Sequence, residues 1–166
     1  MNLKDLAAAK KILQRRNGNP WFAQGAQEFL EGVLTKDSDV LEIGSGASTI
    51  WFAERAKSIL SCEENKVWLT ALESEIKRLE MRNITLIYDR QYVVNFLLKI
   101  KKLFDVILID AKGGVSYEQG LRSLSVEICV KLLKQFGWRR WNFKSLDRKK
   151  YTLYPHELNT SIWEKR

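Results

Sequence analysis

Two kinds of hydrophobic spacing take turns along this chain. Near the start, "LKDLAAAKKILQRR" sets Leu3, Leu6, Ala9 and Leu13 at helical intervals, and the pairs Asn17-Gly18 and Asn19-Pro20 then stop the helix with turn chemistry. In "WFAQGAQEFLEGVL" Phe22, Ala26, Phe29, Leu30, Val33 and Leu34 share one face of a second helix, which the polar "TKDSD" ends. Short apolar runs and helical stretches alternate from there. "VLEI", "SILSCE", "ITLIY" and "FDVILID" read as strands, with helices through Trp68, Leu72, Ile76 and Leu79 and through Phe96 and Ile100 among them, and a helix from about Tyr117 to Lys134 after them. The strands show little polar alternation, as expected where helices cover both faces of a parallel sheet. The pattern predicts a doubly wound α/β domain with a mostly parallel sheet, and such sheets bind ligands outside the carboxyl ends of their strands.

Composition adds limits to that picture. At 166 residues, with 45% hydrophobic and 11% aromatic content, the chain suits one domain around a single sizeable core. Within it, residues 1–35 form N-terminal helices, 39–135 the α/β core and 136–166 a basic C-terminal segment. The first residues mix charge with apolar positions unlike a signal peptide, and no apolar run approaches the roughly 18 residues of a membrane helix. A cytoplasmic protein without a membrane partner is expected. Cys62 and Cys129, isolated in apolar surroundings, read as reduced and buried thiols. The net charge of +8 is uneven: residues 130–166 hold ten Lys or Arg against three Asp or Glu, whereas residues 1–129 are nearly balanced at 18 against 17.

The candidate chemistry starts in "VLEIGSGASTIW", residues 40–51. A strand ending in an acid and a turn holding Gly44 and Gly46 put backbone without side-chain bulk at the edge of the crevice. A dinucleotide-binding turn would want a third glycine where Thr49 stands, so close packing for a pyrophosphate is not provided. Glu63 ends the second strand 19 residues after Gly44, near the spacing at which a carboxylate accepts hydrogen bonds from ribose hydroxyls. A nucleoside-containing cofactor fits better than a phosphate-rich one.

With these motifs in order, residues 19–135 resemble class I S-adenosylmethionine-dependent methyltransferases, in particular a bacterial subgroup whose first motif reads acid, any residue, Gly-Ser-Gly, any residue, Ser-Thr. The resemblance runs through "NPWFAQGAQEFL", "VLEIGSGASTIWFAERAKSILSCEENKVW" and "FDVILIDAKGG". It implies a Rossmann-like methyltransferase fold with S-adenosylmethionine as cofactor. By that resemblance Glu42, Gly44, Ser45, Gly46, Ser48 and Thr49 surround the methionine portion and Glu63 holds the ribose. Tyr88, Asp89 and Arg90 border the adenine, and Asp110 faces the transferring methyl group, as cofactor ligand and candidate catalytic residue.

Asp110 could orient or deprotonate an incoming hydroxyl or amine, or it could bind the cofactor's amino group or cap the following loop. Asp105, at the start of the same strand, reads as structural, Lys112 as a solvated loop residue, and Glu118 beside Tyr117 as suiting a helix amino terminus. His156 has no nucleophile motif near it, which argues against a catalytic dyad. A magnesium-assisted mechanism would want further acids near the fifth strand, where "GWRRWNF" stands instead, so no metal is expected.

That stretch is also where the sequence departs from the family. The family continues from "LLK" through a glycine turn into an apolar fifth strand, a helix and an antiparallel pair, whereas here the remainder is short and basic and "NTSIWEKR" looks like the final strand. A shortened carboxyl edge is therefore expected. Residues 138–150 hold six Lys or Arg, one Asp and the aromatics Trp138, Trp141 and Phe143, which suits either phosphate contact with base stacking or an amphipathic edge element, the latter favoured. The expected function is methyl transfer to an acceptor that is preferably a small molecule. The alternatives are an RNA-binding protein or RNA methyltransferase using the basic segment, and a degenerate cofactor-binding domain without activity. An apolar sheet edge is compatible with a homodimer.

Overall fold

A computed structural model of the chain describes residues 2–20, 24–63, 65–88 and 104–109, together with the strands at 139–144 and 159–164. Helix α1 (Leu3–Arg16) begins at Asn2, whose side-chain oxygen accepts a hydrogen bond from the Lys4 amide at 3.0 Å, and ends at Asn17 in a left-handed conformation, φ 46°. Asparagine suits both ends, satisfying an orphan amide at one and tolerating positive φ at the other. After it come α2 (Gln24–Val33), β1 (Asp39–Ile43), α3 (Ala47–Ala53), β2 (Ser58–Cys62), α4 (Lys66–Arg78), β3 (Ile84–Ile87), β4 (Val106–Ile109), β5 (Arg139–Lys144) and β6 (Asn159–Glu164). The helices expected around Phe96 to Ile100 and from Tyr117 to Lys134 lie outside the described residues.

The strands form one sheet in the order β3-β2-β1-β4-β6-β5. Strands β1 to β4 are parallel, as their apolar runs predict, while β6 runs antiparallel to both β4 and β5. "RRWNFK" supplies β5, at the edge of the sheet opposite β3, and "NTSIWE" supplies β6. Beyond β4 the sheet continues through β6 and then β5.

Strand pleating puts Val40 and Glu42 of β1, Ile59 and Ser61 of β2 and Val106 and Leu108 of β4 on one face. Val40, Ile59, Val106 and Leu108 pack there against Ala26 and Leu30 of α2 and Trp51, Phe52 and Ala53 of α3. A second cluster joins Ala9 and Leu13 of α1 to Ala47 and Ile50 of α3 and Ala71 and Leu72 of α4. Helix α3 belongs to both, and all of its residues are buried. Each large side chain fully buried this way, such as Phe52 or Leu13, contributes about 1.5–3 kcal/mol. On the opposite face Leu41 and Ile107 are buried as well.

The amino ends of β1 and β4 are tied by one acid. Asp105 accepts from the Asp39 amide through Oδ2 at 2.8 Å and donates its own amide to the Asp39 carbonyl at 2.8 Å, which is the structural role its position suggests. Among the described residues no helix is long and apolar enough to cross a membrane.

Candidate functional site

Parallel pairing delivers the carboxyl ends of β1, β2 and β3 to the same edge of the sheet. The Gly44 amide donates to the Cys62 carbonyl at 2.9 Å and the Glu63 amide to the Ile87 carbonyl at 3.0 Å, so the turn after β1, the acid after β2 and Tyr88 after β3 lie in sequence along that edge. Gly44 has φ 98°, a conformation that side chains rarely adopt. Gly46 is different. Its backbone is extended at φ −179°, and a Cβ there would meet Trp68 Nε1 at 3.6 Å, an ordinary contact. Backbone geometry calls for glycine at Gly44, whereas at Gly46 the missing side chain leaves room.

Glu42 sits beneath this turn, fully buried. Its carboxylate accepts from Ser48 Oγ through Oε1, and from Thr49 Oγ1 at 2.5 Å and Ser61 Oγ at 2.6 Å through Oε2. Thr49 Oγ1 also accepts from the Gly46 amide at 2.9 Å, and Ser45 Oγ lies 2.6 Å from Ser61 Oγ. From the other side the indole of Trp68 donates to the Ser45 carbonyl at 2.7 Å. One buried acid thus gathers the hydroxyls that fix the turn. A buried carboxylate needs such donors, because leaving it without them would cost several kcal/mol. Thr49, which occupies the place of a third dinucleotide-type glycine, bridges the turn to the acid.

Glu63 is 4% exposed, and its Oε1 accepts from the Asn65 amide at 2.7 Å. Asn65 in turn caps α4, its side chain accepting from the Val67 and Trp68 amides at 3.0 and 3.1 Å. The carboxylate is therefore positioned by the start of the helix that follows it. Between the two acids in sequence, the buried Cys62 thiol is pushed up to about 12, first by burial and then by the charges of Glu42 and Glu63.

Eight of the site residues expected from sequence, Glu42, Gly44, Ser45, Gly46, Ser48, Thr49, Glu63 and Tyr88, come together at this edge, with Tyr88 half exposed. Glu42 lies under the turn, where it accepts from Ser48, Thr49 and Ser61. Asp89, Arg90 and Asp110 lie outside the described residues, as do Cys129, Lys112, Tyr117, Glu118 and His156. Three participants were not anticipated: Ser61, Asn65 and Trp68. Ser61 carried a signal, being the polar residue in "SILSC" that pairs in register with Glu42.

No protein-family model matches the chain, and no curated protein matches it. Solved structures do. A candidate O-methyltransferase from Klebsiella pneumoniae superposes with a TM-score of 0.56 at 14% identity, covering 100% of this chain and 92% of that one. The cofactor-bound Rv0187 from MTB gives 0.55 at 16% identity, covering 98% and 90%. A candidate methyltransferase from Streptococcus mutans, in complex with SAH, gives 0.51 at 16% identity, covering 86% and 97%. This chain is similar to these proteins in fold, the Rossmann-like methyltransferase fold.

Proposed function

We propose that this chain is an S-adenosylmethionine-dependent methyltransferase. The observation that carries the reading is the side-by-side placement of the Gly44–Gly46 turn and Glu63, joined by the Gly44 to Cys62 hydrogen bond at the carboxyl edge of the sheet. Two acids, one on β1 buried under a glycine turn and one just after the adjacent β2, make a donor-binding crevice for a nucleoside with an amino-acid tail. The cofactor in SAH form in one fold relative, and a bound cofactor in another, support the same assignment.

In this reading Ser45 and Ser48, held by Glu42, border the methionine portion; Glu63 accepts from the ribose hydroxyls; Tyr88, with Asp89 and Arg90, borders the adenine. When bound, S-adenosylmethionine supplies an electrophilic methyl group on a sulfonium. The protein's part is alignment and exclusion of competing nucleophiles, with Asp110 orienting or deprotonating the acceptor. The acceptor side is read as shortened by one parallel strand, since β6 pairs directly with β4. The basic stretch is read as a sheet edge because residues 139–144 form β5, and the acceptor as a small molecule.

Calorimetric titration with S-adenosylhomocysteine tests the reading. Binding is expected, and Glu63→Gln should weaken it by roughly 1.5–3 kcal/mol, the range for hydrogen bonds to charged groups, with an unchanged melting curve. No binding to the parent protein would defeat the methyltransferase assignment. RNA binding that weakens with salt at a log-log slope of roughly −0.7 per phosphate contact would defeat the small-molecule acceptor.

A further inference from the structure

The peptide between Ser45 and Gly46 is held at both ends. Its N–H, on Gly46, donates to Thr49 Oγ1 at 2.9 Å, and Thr49 gives its own proton to the buried Glu42 at 2.5 Å. Its C=O, on Ser45, accepts from the Trp68 indole at 2.7 Å. In a trans peptide these two groups point to opposite sides of one plane, so β1 and α3 fix one side of it and α4 the other. This plane is the last before α3, where Gly46 is the N-cap and its carbonyl accepts from the Thr49 amide at 3.1 Å. Without a Cβ, Gly46 resists rotation of the plane less than other residues do, and the Trp68 ring lies against that bare position, Nε1 at 3.6 Å and Cζ2 at 3.9 Å from where a Cβ would stand. Trp68 is itself set from the other half of the site. Its amide donates to Asn65 Oδ1 at 3.1 Å, and the Asn65 amide donates to Glu63 Oε1 at 2.7 Å. The opening turn of α4 therefore touches both the acid after β2 and the turn after β1.

Resting on the methyltransferase reading, we propose that Trp68 is a positioning residue: its indole N–H, holding the Ser45–Gly46 peptide plane from α4, orders the glycine turn before the donor arrives, while the nucleoside half of the crevice, at Glu63, does not depend on that bond. Trp68 acts through the Ser45 carbonyl and needs no contact with the donor. Without the indole N–H the donor has to order the turn as it binds, and its affinity falls by that cost.

The test compares S-adenosylhomocysteine with adenosine, which lacks the amino-acid tail, by calorimetry on the full chain, with adenosine also measured by displacement. Trp68→Phe keeps an aromatic ring and removes the donor. It should weaken S-adenosylhomocysteine by roughly threefold to tenfold, the contribution of one neutral hydrogen bond, and leave adenosine within about twofold of the parent. A merely structural defect in α4 would reach Glu63 through Asn65 and weaken both ligands alike. Trp68→Phe protein that loses both in equal measure therefore overturns the inference, as does one that binds both like the parent. Should Trp68→Phe fail to fold, the benzothienyl isostere of Trp68, with sulfur in place of the N–H, carries the test, since it fills nearly the same volume; parent-like affinity for S-adenosylhomocysteine there is equally fatal. Parent protein that binds S-adenosylhomocysteine but is untouched by adenosine has no separately held nucleoside half, which overturns this inference and leaves the methyltransferase reading standing. Parent protein that does not bind S-adenosylhomocysteine overturns that reading itself.

Discussion

At the scale of single residues, Gly44 and Gly46 answer to different forces. Placing a side chain at Gly44 forces it into φ 98°, which costs an L-residue roughly 1–2 kcal/mol, so Gly44→Ala should lower the thermal midpoint measurably. Gly46→Ala puts its methyl in ordinary contact with the Trp68 indole in an extended backbone, and should melt with the parent while binding S-adenosylhomocysteine less well. The two melting curves side by side check both expectations, and a destabilised Gly46→Ala would contradict the geometry. The spacing Gly-Ser-Gly was legible in the sequence; which glycine the backbone requires was not, because φ at Gly44 is set by a hydrogen bond to Cys62 on a neighbouring strand. Ser61 escaped notice for a related reason, its partner Glu42 lying 19 residues away across the sheet.

At the scale of elements, the strands β1 to β4 and the helices α1, α2 and α4 were legible because each is an uninterrupted apolar run or a clean helical face. What holds α3 in place was not. Its carboxyl end is satisfied from a distance, by Asn83 Nδ2 donating to the Ala53 and Ala56 carbonyls at 2.9 and 3.1 Å, while the Asn83 carbonyl accepts from the Ile59 amide at 2.8 Å. Helix ends expose carbonyls that need donors, and here a residue at the entry to β3 supplies one. Asn83→Ala should cost roughly 1–3 kcal/mol through the two carbonyls left unpaired. Urea denaturation reads this as a lowered midpoint at unchanged slope, and an unchanged midpoint would show that water replaces the amide without loss. Asn83→Asp, isosteric but lacking the donor, should resemble the alanine variant.

At the scale of the whole molecule, the Cys62 thiol makes folding stability depend on alkaline pH. Its folded value, raised from 9.0 to about 12, lies above that of an unfolded cysteine, so the contribution is fully present below about pH 9 and is lost as pH rises toward 12. Denaturation midpoints measured at about pH 8 and pH 11 should fall more steeply for the parent than for Cys62→Ala; equal slopes would mean the thiol is not buried in the way described. The doubly wound class was legible at this scale from the alternation of runs, yet the order of the last two strands was not, because which strand lies beside β4 is decided by pairing between segments far apart in the chain. That order has a consequence in time. A ribosome delivers β5 before β6, although β6 is the strand that β4 and β5 both pair with. Until residues 159–164 are in place, β5 has no neighbour among the described strands and the open side of β4 is a template for any other extended chain. Docking of β6 therefore completes this half of the sheet in a single step, a keystone set after the stones on either side, and a chain in which it is displaced carries two unfinished edges at once.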